Sequence, residues 1–99
     1  MITHRSPIKF IWDKGNEGKN WLKHKVTNKE CEEVFFDFNK QEYPDPQHSK
    51  KELRKVVVGK SKNGRILFIV FTMRNNIIRV ISARNLNKKK EVDLYEKAA

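Results

Sequence analysis

Cysteine, proline, glycine and long apolar runs are all scarce in this 99-residue sequence, which has one Cys, three Pro and four Gly. A single thiol cannot build an internal disulfide framework, which points to a reducing compartment, the cytoplasm. The longest apolar run, residues 66–71, falls far short of the ~18 residues that a membrane-spanning helix needs. Residues 1–9 carry charge and lack an apolar signal core, so secretion is not expected. Apolar residues make up 37%, and even with the glycines added this stays below the ~45–50% of an average domain. One small core is expected, within a single domain over 1–99 whose residues 1–6 form a flexible tail. No cluster of Cys, His and carboxylates has the spacing of a metal site, so neither metal nor cofactor is expected.

Negative charge is scarce in one half only. Residues 1–49 balance eight basic residues against eight acidic ones, whereas residues 50–99 hold fourteen basic and four acidic, so the whole net charge of +10 sits there. An excess of that sign favours a polyanion, most often a nucleic acid. No basic amphipathic helix with a broad apolar face is present to suggest a membrane surface. An acidic protein partner stays open as the alternative.

Residues 8–12 read as a strand, with Asp13 as N-cap of a weak helix over 14–25. Gly15 and Gly18 each lower that helix's stability by about 1 kcal/mol relative to Ala. A stronger helix spans 28–38. Thr27 and Glu30 have capping-box spacing, and Val26 and Cys31 have staple spacing. Cys31, Val34, Phe35 and Phe38 fall on one apolar face. Both Trp12 and Trp21 read as core or helix–sheet contacts.

A short strand at 41–43 precedes the breaker Tyr43-Pro44-Asp45-Pro46. Strands are predicted at 53–59, 65–72 and 77–83, with turns at 61–64 and 74–76, and a closing helix at 87–97. The strand at 65–72 is apolar at both parities, so it should be central and covered on both faces. In the strand at 77–83, Arg79 interrupts the parity set Ile77, Ile81, Ala83. The order predicts an α+β fold: an antiparallel sheet of about four strands, two N-terminal helices packed on it and a C-terminal helix.

Several motifs then resemble the BrnT toxins of BrnT/BrnA toxin–antitoxin systems. They are Phe10-Ile11-Trp12-Asp13, Asn20 with Lys23-His24, Val34-Phe35 with Asp37, His48-Ser49, Arg54, Val58-Gly59, Gly64-Arg65 and Thr72 with Arg74. Most specific is Arg79-Val80-Ile81-Ser82-Ala83-Arg84 followed by Glu91 and Tyr95. Two departures stand out: Lys25 occupies the place of a helix-ending Gly, and Lys88-Lys89-Lys90 replaces a mixed stretch.

The resemblance implies a RelE-like fold, a metal-independent endoribonuclease acting on RNA, and neutralisation by a BrnA-like antitoxin through which DNA is mainly contacted. RNA cleavage of that kind needs a base for the 2′-OH, cations for the phosphate and an acid for the leaving 5′ oxygen. His48 or Glu52 would handle the proton. Arg54, Arg79 and Arg84 would hold the phosphate, since a guanidinium fork bonds two oxygens and stays charged. Tyr95 would stack on a base, bond the phosphate or act as acid, although its spacing with Val92 and Ala99 also fits a core position. Lys55, Arg65, Arg74, Lys88, Lys89 and Lys90 complete the expected RNA-binding set. A non-catalytic nucleic-acid-binding module and a protein-interaction domain are the alternative readings of the same charge.

Overall fold

The computed structural model describes residues 8–45, 52–86 and 89–98; residues 1–6, His48 and Lys88 lie outside them. In chain order the elements are β1 (Lys9–Phe10), α1 (Lys19–His24), α2 (Asn28–Val34), β2 (Gln41–Pro44), β3 (Arg54–Lys60), β4 (Ile66–Arg74), β5 (Ile77–Asn85) and α3 (Lys89–Ala98). The strands form a five-stranded sheet in the order β1-β5-β4-β3-β2. An α+β fold is what the sequence predicts, but the sheet is mixed and has one more strand than expected. β1 runs parallel to β5, pairing Lys9 with Ile77 and Phe10 with Ile78. A two-residue strand carries no alternation from which a pairing direction could be read.

β4 owes its unbroken apolar run to its central place. Leu67, Ile69 and Phe71 join Val57, Ile78, Val80 and Ala83 in one core, against Val26, Cys31, Val34 and Phe35 from the α1–α2 side. The opposite parity, Phe68 and Val70, packs with Val56, Val58, Leu86 and Tyr95. Tyr95 belongs to α3, so helices cover both faces of the sheet rather than one. Fully burying a side chain such as Leu67 or Ile69 contributes about 1.5–3 kcal/mol.

The β4–β5 and β3–β4 hairpins each have their turn chemistry. Asn75 and Asn76 have φ of 52° and 65°, the two positive values that a type I′ connection between β4 and β5 requires. Between β3 and β4, Gly64 takes φ 89°, and its N–H donates to the Ser61 carbonyl at 3.0 Å.

The helices are shorter than their periodicity suggests. Residues 14–18 form turns and α1 begins only at Lys19, after Gly18 at φ 77°. Its C-cap, Lys25, adopts the left-handed conformation (φ 56°, ψ 39°) that Gly would take most easily. In α2 the capping box is complete: Glu30 N–H donates to Thr27 Oγ1 at 3.0 Å, and Thr27 N–H to Glu30 Oε1 at 2.9 Å. The staple residues Val26 and Cys31 are both fully buried. α2 stops at Val34 because Asp37 turns back to accept the Lys60 N–H at the end of β3, at 2.8 Å. That turn takes Phe38 off the predicted apolar face and leaves it 98% exposed. Trp12 packs against the core and donates to Glu32 at 2.7 Å, whereas Trp21 is 49% exposed.

β5 carries two devices that no periodicity announces. Its register with β4 shifts between Val70 and Phe71, so that Ile81 is skipped. This bulge lets Ile78, Val80 and Ala83 all reach the core, and it replaces the expected face of Ile77, Ile81 and Ala83. Beyond β1, the outer edge of β5 is satisfied by side chains. Asn16 Nδ2 donates to the Ile11 and Val80 carbonyls, both at 3.0 Å, and Asn20 Oδ1 accepts the Ala83 N–H at 2.9 Å. Both asparagines are buried, and they remove backbone groups to which another strand could have paired.

Candidate functional site

The registers place Arg54, Thr72 and Arg79 side by side across β3, β4 and β5. They share the parity of Val56 and Val70, the next pair along, which belong to the core beneath α3. Thr72 is buried, and its hydroxyl donates to the Leu53 carbonyl at 2.8 Å. This bond ties the start of β3 to the row.

Two carboxylates meet these cations. Glu52 takes a forked pair of bonds from Arg74, from Nε to Oε2 and from Nη2 to Oε1, both 2.8 Å. Arg79 Nη1 donates to Asp13 Oδ2 at 2.6 Å. The Arg74 bonds hold the Glu52 carboxyl below its ordinary value, outweighing burial, and the charges of Arg74, Arg54 and Arg79 add to the effect. Asp13 is lowered chiefly by its Arg79 bond and by the Gly15 N–H. Arg74 and Arg79 are raised in return by the carboxylates they contact. Glu52, Arg54, Arg74, Arg79 and Asp13 thus form one electrostatic neighbourhood at the end of the sheet where β4 turns into β5. The two carboxylates there, Glu52 and Asp13, are held in their ionised form by the arginines they meet.

Four of the residues expected from the sequence therefore gather: Glu52, Arg54, Arg74 and Arg79. Arg84 shares their face further along β5, opposite Phe68, whose ring lies 4.3 Å from the guanidinium carbon. Residues 46–51, which include His48, lie outside the described residues. The stretch leaves from Asp45, whose N–H donates to the Arg54 carbonyl at 3.0 Å, and returns at Glu52, so both its flanks adjoin the cluster.

Other expected residues are turned elsewhere. Lys55 has the parity of Val57 and Phe71, on the α1–α2 side of the sheet. Arg65 is occupied at the opposite end, by the β3–β4 turn. It donates to both Glu30 oxygens at 2.9 and 3.1 Å, to Asn85 Oδ1 at 3.0 and 3.1 Å, and to the Lys25 and His24 carbonyls at 2.7 and 3.3 Å. Its donors are used in closing the fold, away from the arginine cluster.

Tyr95 is buried, and its hydroxyl donates to Asp37 Oδ2 beside Lys60. Lys60 stands six residues along β3 from Arg54, roughly 20 Å at the rise of a strand. Burial, then the bond to Asp37, raises the Tyr95 hydroxyl above its ordinary value. It is a core and anchoring residue in this position, and it does not converge with the arginines. Of the lysine run, Lys89 is exposed at the start of α3, and Lys88 lies outside the described residues. Lys90 belongs to the first turn of the same helix.

Asp13 is the member that sequence reasoning missed, because an Asp before a helical segment reads as an N-cap. Asp13 caps no helix, because α1 begins at Lys19 with Gly18 as its N-cap; instead its Oδ1 accepts the Gly15 N–H at 2.9 Å within a turn. Its second oxygen is what meets Arg79. No group of three or more His, Cys, Asp or Glu among the described residues is placed to hold a metal ion.

A family model described as the ribonuclease toxin BrnT of type II toxin–antitoxin systems matches residues 12–90. No curated protein matches the chain.

Proposed function

The chain belongs to the BrnT ribonuclease toxin family of type II toxin–antitoxin systems, and from that membership we propose that it is a RelE-like, metal-independent endoribonuclease working through the Glu52–Arg54–Arg74–Arg79 cluster. What supports this is the meeting of three arginines from three adjacent strands around a carboxylate. In this reading the Glu52 carboxylate stands where phosphate oxygens meet Arg74.

The proposed chemistry is transphosphorylation. A base takes the proton of the 2′-OH, and O2′ attacks the neighbouring phosphorus. The P–O5′ bond breaks and an acid protonates O5′, leaving a 2′,3′-cyclic phosphate and a 5′-OH. Arg54, Arg74 and Arg79 neutralise the charge that builds on the pentacoordinate phosphorus. Glu52 is the base. While it is paired it is a weak one, because Arg74 stabilises its ionised form. A phosphate that draws Arg74 away removes that stabilisation and strengthens the base in the loaded site. His48, four residues before Glu52, supplies the proton to O5′ with a side chain whose ordinary pKa suits neutral pH. Arg84 and Lys88, Lys89 and Lys90 contact flanking phosphates. A BrnA-like antitoxin neutralises the activity by presenting acidic side chains to the same arginines, and DNA contacts fall to that partner.

Incubating purified protein with single-stranded RNA in EDTA tests the reading. We expect fragments ending in 2′,3′-cyclic phosphate, with Arg79→Ala and Arg54→Ala each slowing cleavage by ~10²-fold or more. RNA that stays intact at concentrations where it is clearly bound would refute the nuclease and favour a non-catalytic binding module.

A further inference from the structure

We propose that Asp13 is a positioning residue for the ribonuclease reaction, holding the Arg79 guanidinium at the phosphate site in a socket that stays open because residue 15 is glycine. The inference rests on the reading of the arginine cluster given above.

Three observations carry it. The carboxylate meets Arg79 at 2.6 Å, across 66 residues of sequence. A β-carbon on Gly15 would stand 2.4 Å from Arg79 Nη2 and 3.2 Å from Asp13 Oδ1. The φ of Gly15 is not positive, so the glycine is there for space rather than for conformation. Finally, the Asp13 turn is fixed to the strand that carries Arg79. Asp13 N–H donates to Asn16 Oδ1 at 2.7 Å, and the Asp13 carbonyl accepts the Asn16 and Glu17 N–H groups at 3.0 and 2.7 Å. Asn16 in turn bonds the carbonyl of Val80, the residue next to Arg79.

A long guanidinium side chain on a strand face has several rotamers. An anion fixed to the neighbouring turn selects one of them before substrate arrives, which is the form of preorganisation that reduces the reorganisation left for the reacting complex. Asp13 is half exposed at the side chain, so it adds little to folding stability by pairing. Its placement matters for where Arg79 points.

The test is a cycle of Asp13→Asn, Arg79→Ala and the double variant, with cleavage of a single-stranded RNA followed at saturating and sub-saturating substrate. Asp13→Asn keeps the shape and removes the charge. We expect kcat to fall about tenfold with KM changed less than twofold, since misplacing a catalytic group costs rate more than ground-state binding. In the Arg79→Ala background the same substitution should have no further effect. Gly15→Ala should lower kcat in the same direction while thermal unfolding stays that of the wild type. An Asp13→Asn variant that cuts as fast as the wild type, or that slows Arg79→Ala by the same factor as it slows the wild type, would overturn the role of Asp13 alone. A wild type that leaves RNA uncut would overturn the nuclease reading and this proposal with it.

Discussion

Tyr95 and Asp37 are joined by a hydrogen bond from the phenol to Oδ2, which ties α3 to the turn after α2 across the Lys60 end of β3. The same carboxylate also receives the N–H groups of Asn39 and Lys60, at 3.0 and 2.8 Å. Burial would raise the Asp37 carboxyl, and these three donors outweigh it, leaving the group ionised and lowered. A bond to an ionised acceptor is worth ~1.5–3 kcal/mol. Tyr95→Phe should therefore lower stability to urea by roughly that amount and leave RNA cleavage unchanged. If cleavage instead fell by tenfold or more with stability preserved, Tyr95 would belong to the reaction.

Arg65 makes the complementary case. Its side chain and that of Glu30 are largely withdrawn from solvent, and losing one partner of such a pair strands the other. Arg65→Met should cost about 2–4 kcal/mol, slightly below the range for fully buried pairs because some exposure remains. The salt dependence of RNA binding should keep the wild-type slope, which a direct phosphate contact would not permit. Urea titration and binding at several salt concentrations read the two effects separately.

Acid stability follows from the same carboxylates. Burial raises Glu30, but bonds from the Thr27 N–H, Asn63 and Arg65 win, so its folded pKa lies below the unfolded reference of 4.5. Asp37 likewise lies below 3.8. Groups lowered on folding contribute fully above their unfolded values, and that contribution is lost as pH falls through the folded ones. The urea midpoint should stay level from pH 7 to near 5, then fall steadily as these two groups take up protons. Glu30→Gln should lie lower at pH 7 and show a smaller acid decline; parallel curves for variant and wild type would contradict the assignment.

Cys31 should be silent to thiol reagents in the native protein. It is free and fully buried, and burial, with the nearby Glu30 and Glu32 charges, pushes its thiol up to about 12. The thiolate is the reactive form. Labelling with an aromatic disulfide reagent should release no thiol signal until urea unfolds the chain, after which one equivalent appears. Prompt labelling without denaturant would contradict the packing.

Much of this architecture was legible in the sequence. The capping box at Thr27 and Glu30, the staple at Val26 and Cys31, the turn at Asn75–Asn76 and the doubly covered β4 all depend on neighbours close in sequence or on one strand's pattern. What escaped depends on distant partners. The bulge at Ile81 inverts a parity that period-2 reasoning takes as constant. Phe38 leaves its helical face because Asp37 is needed at Lys60, a contact 23 residues away. Among the site residues, the charge of Glu52, Arg54, Arg74 and Arg79 is legible in the sequence, but their meeting depends on the pairing of β3, β4 and β5. Asp13 reads in the sequence as a cap, since an acidic residue before a helical segment has that ordinary use, and its partner Arg79 lies 66 residues away. Arg65 and Arg74 looked alike as isolated basic residues, and only the fold separates the one facing inward from the one at the cluster.

The place of β5 bears on how the protein is made. It follows the other four described strands in sequence and lies between β1 and β4 in the sheet, so on a growing polypeptide β1 has no partner strand until β5 has left the ribosome. Arg79 comes from the same late stretch. Vectorial synthesis thus keeps Arg79 apart from Arg54 and Arg74 on a nascent chain until β5 has emerged and taken its place between its neighbours.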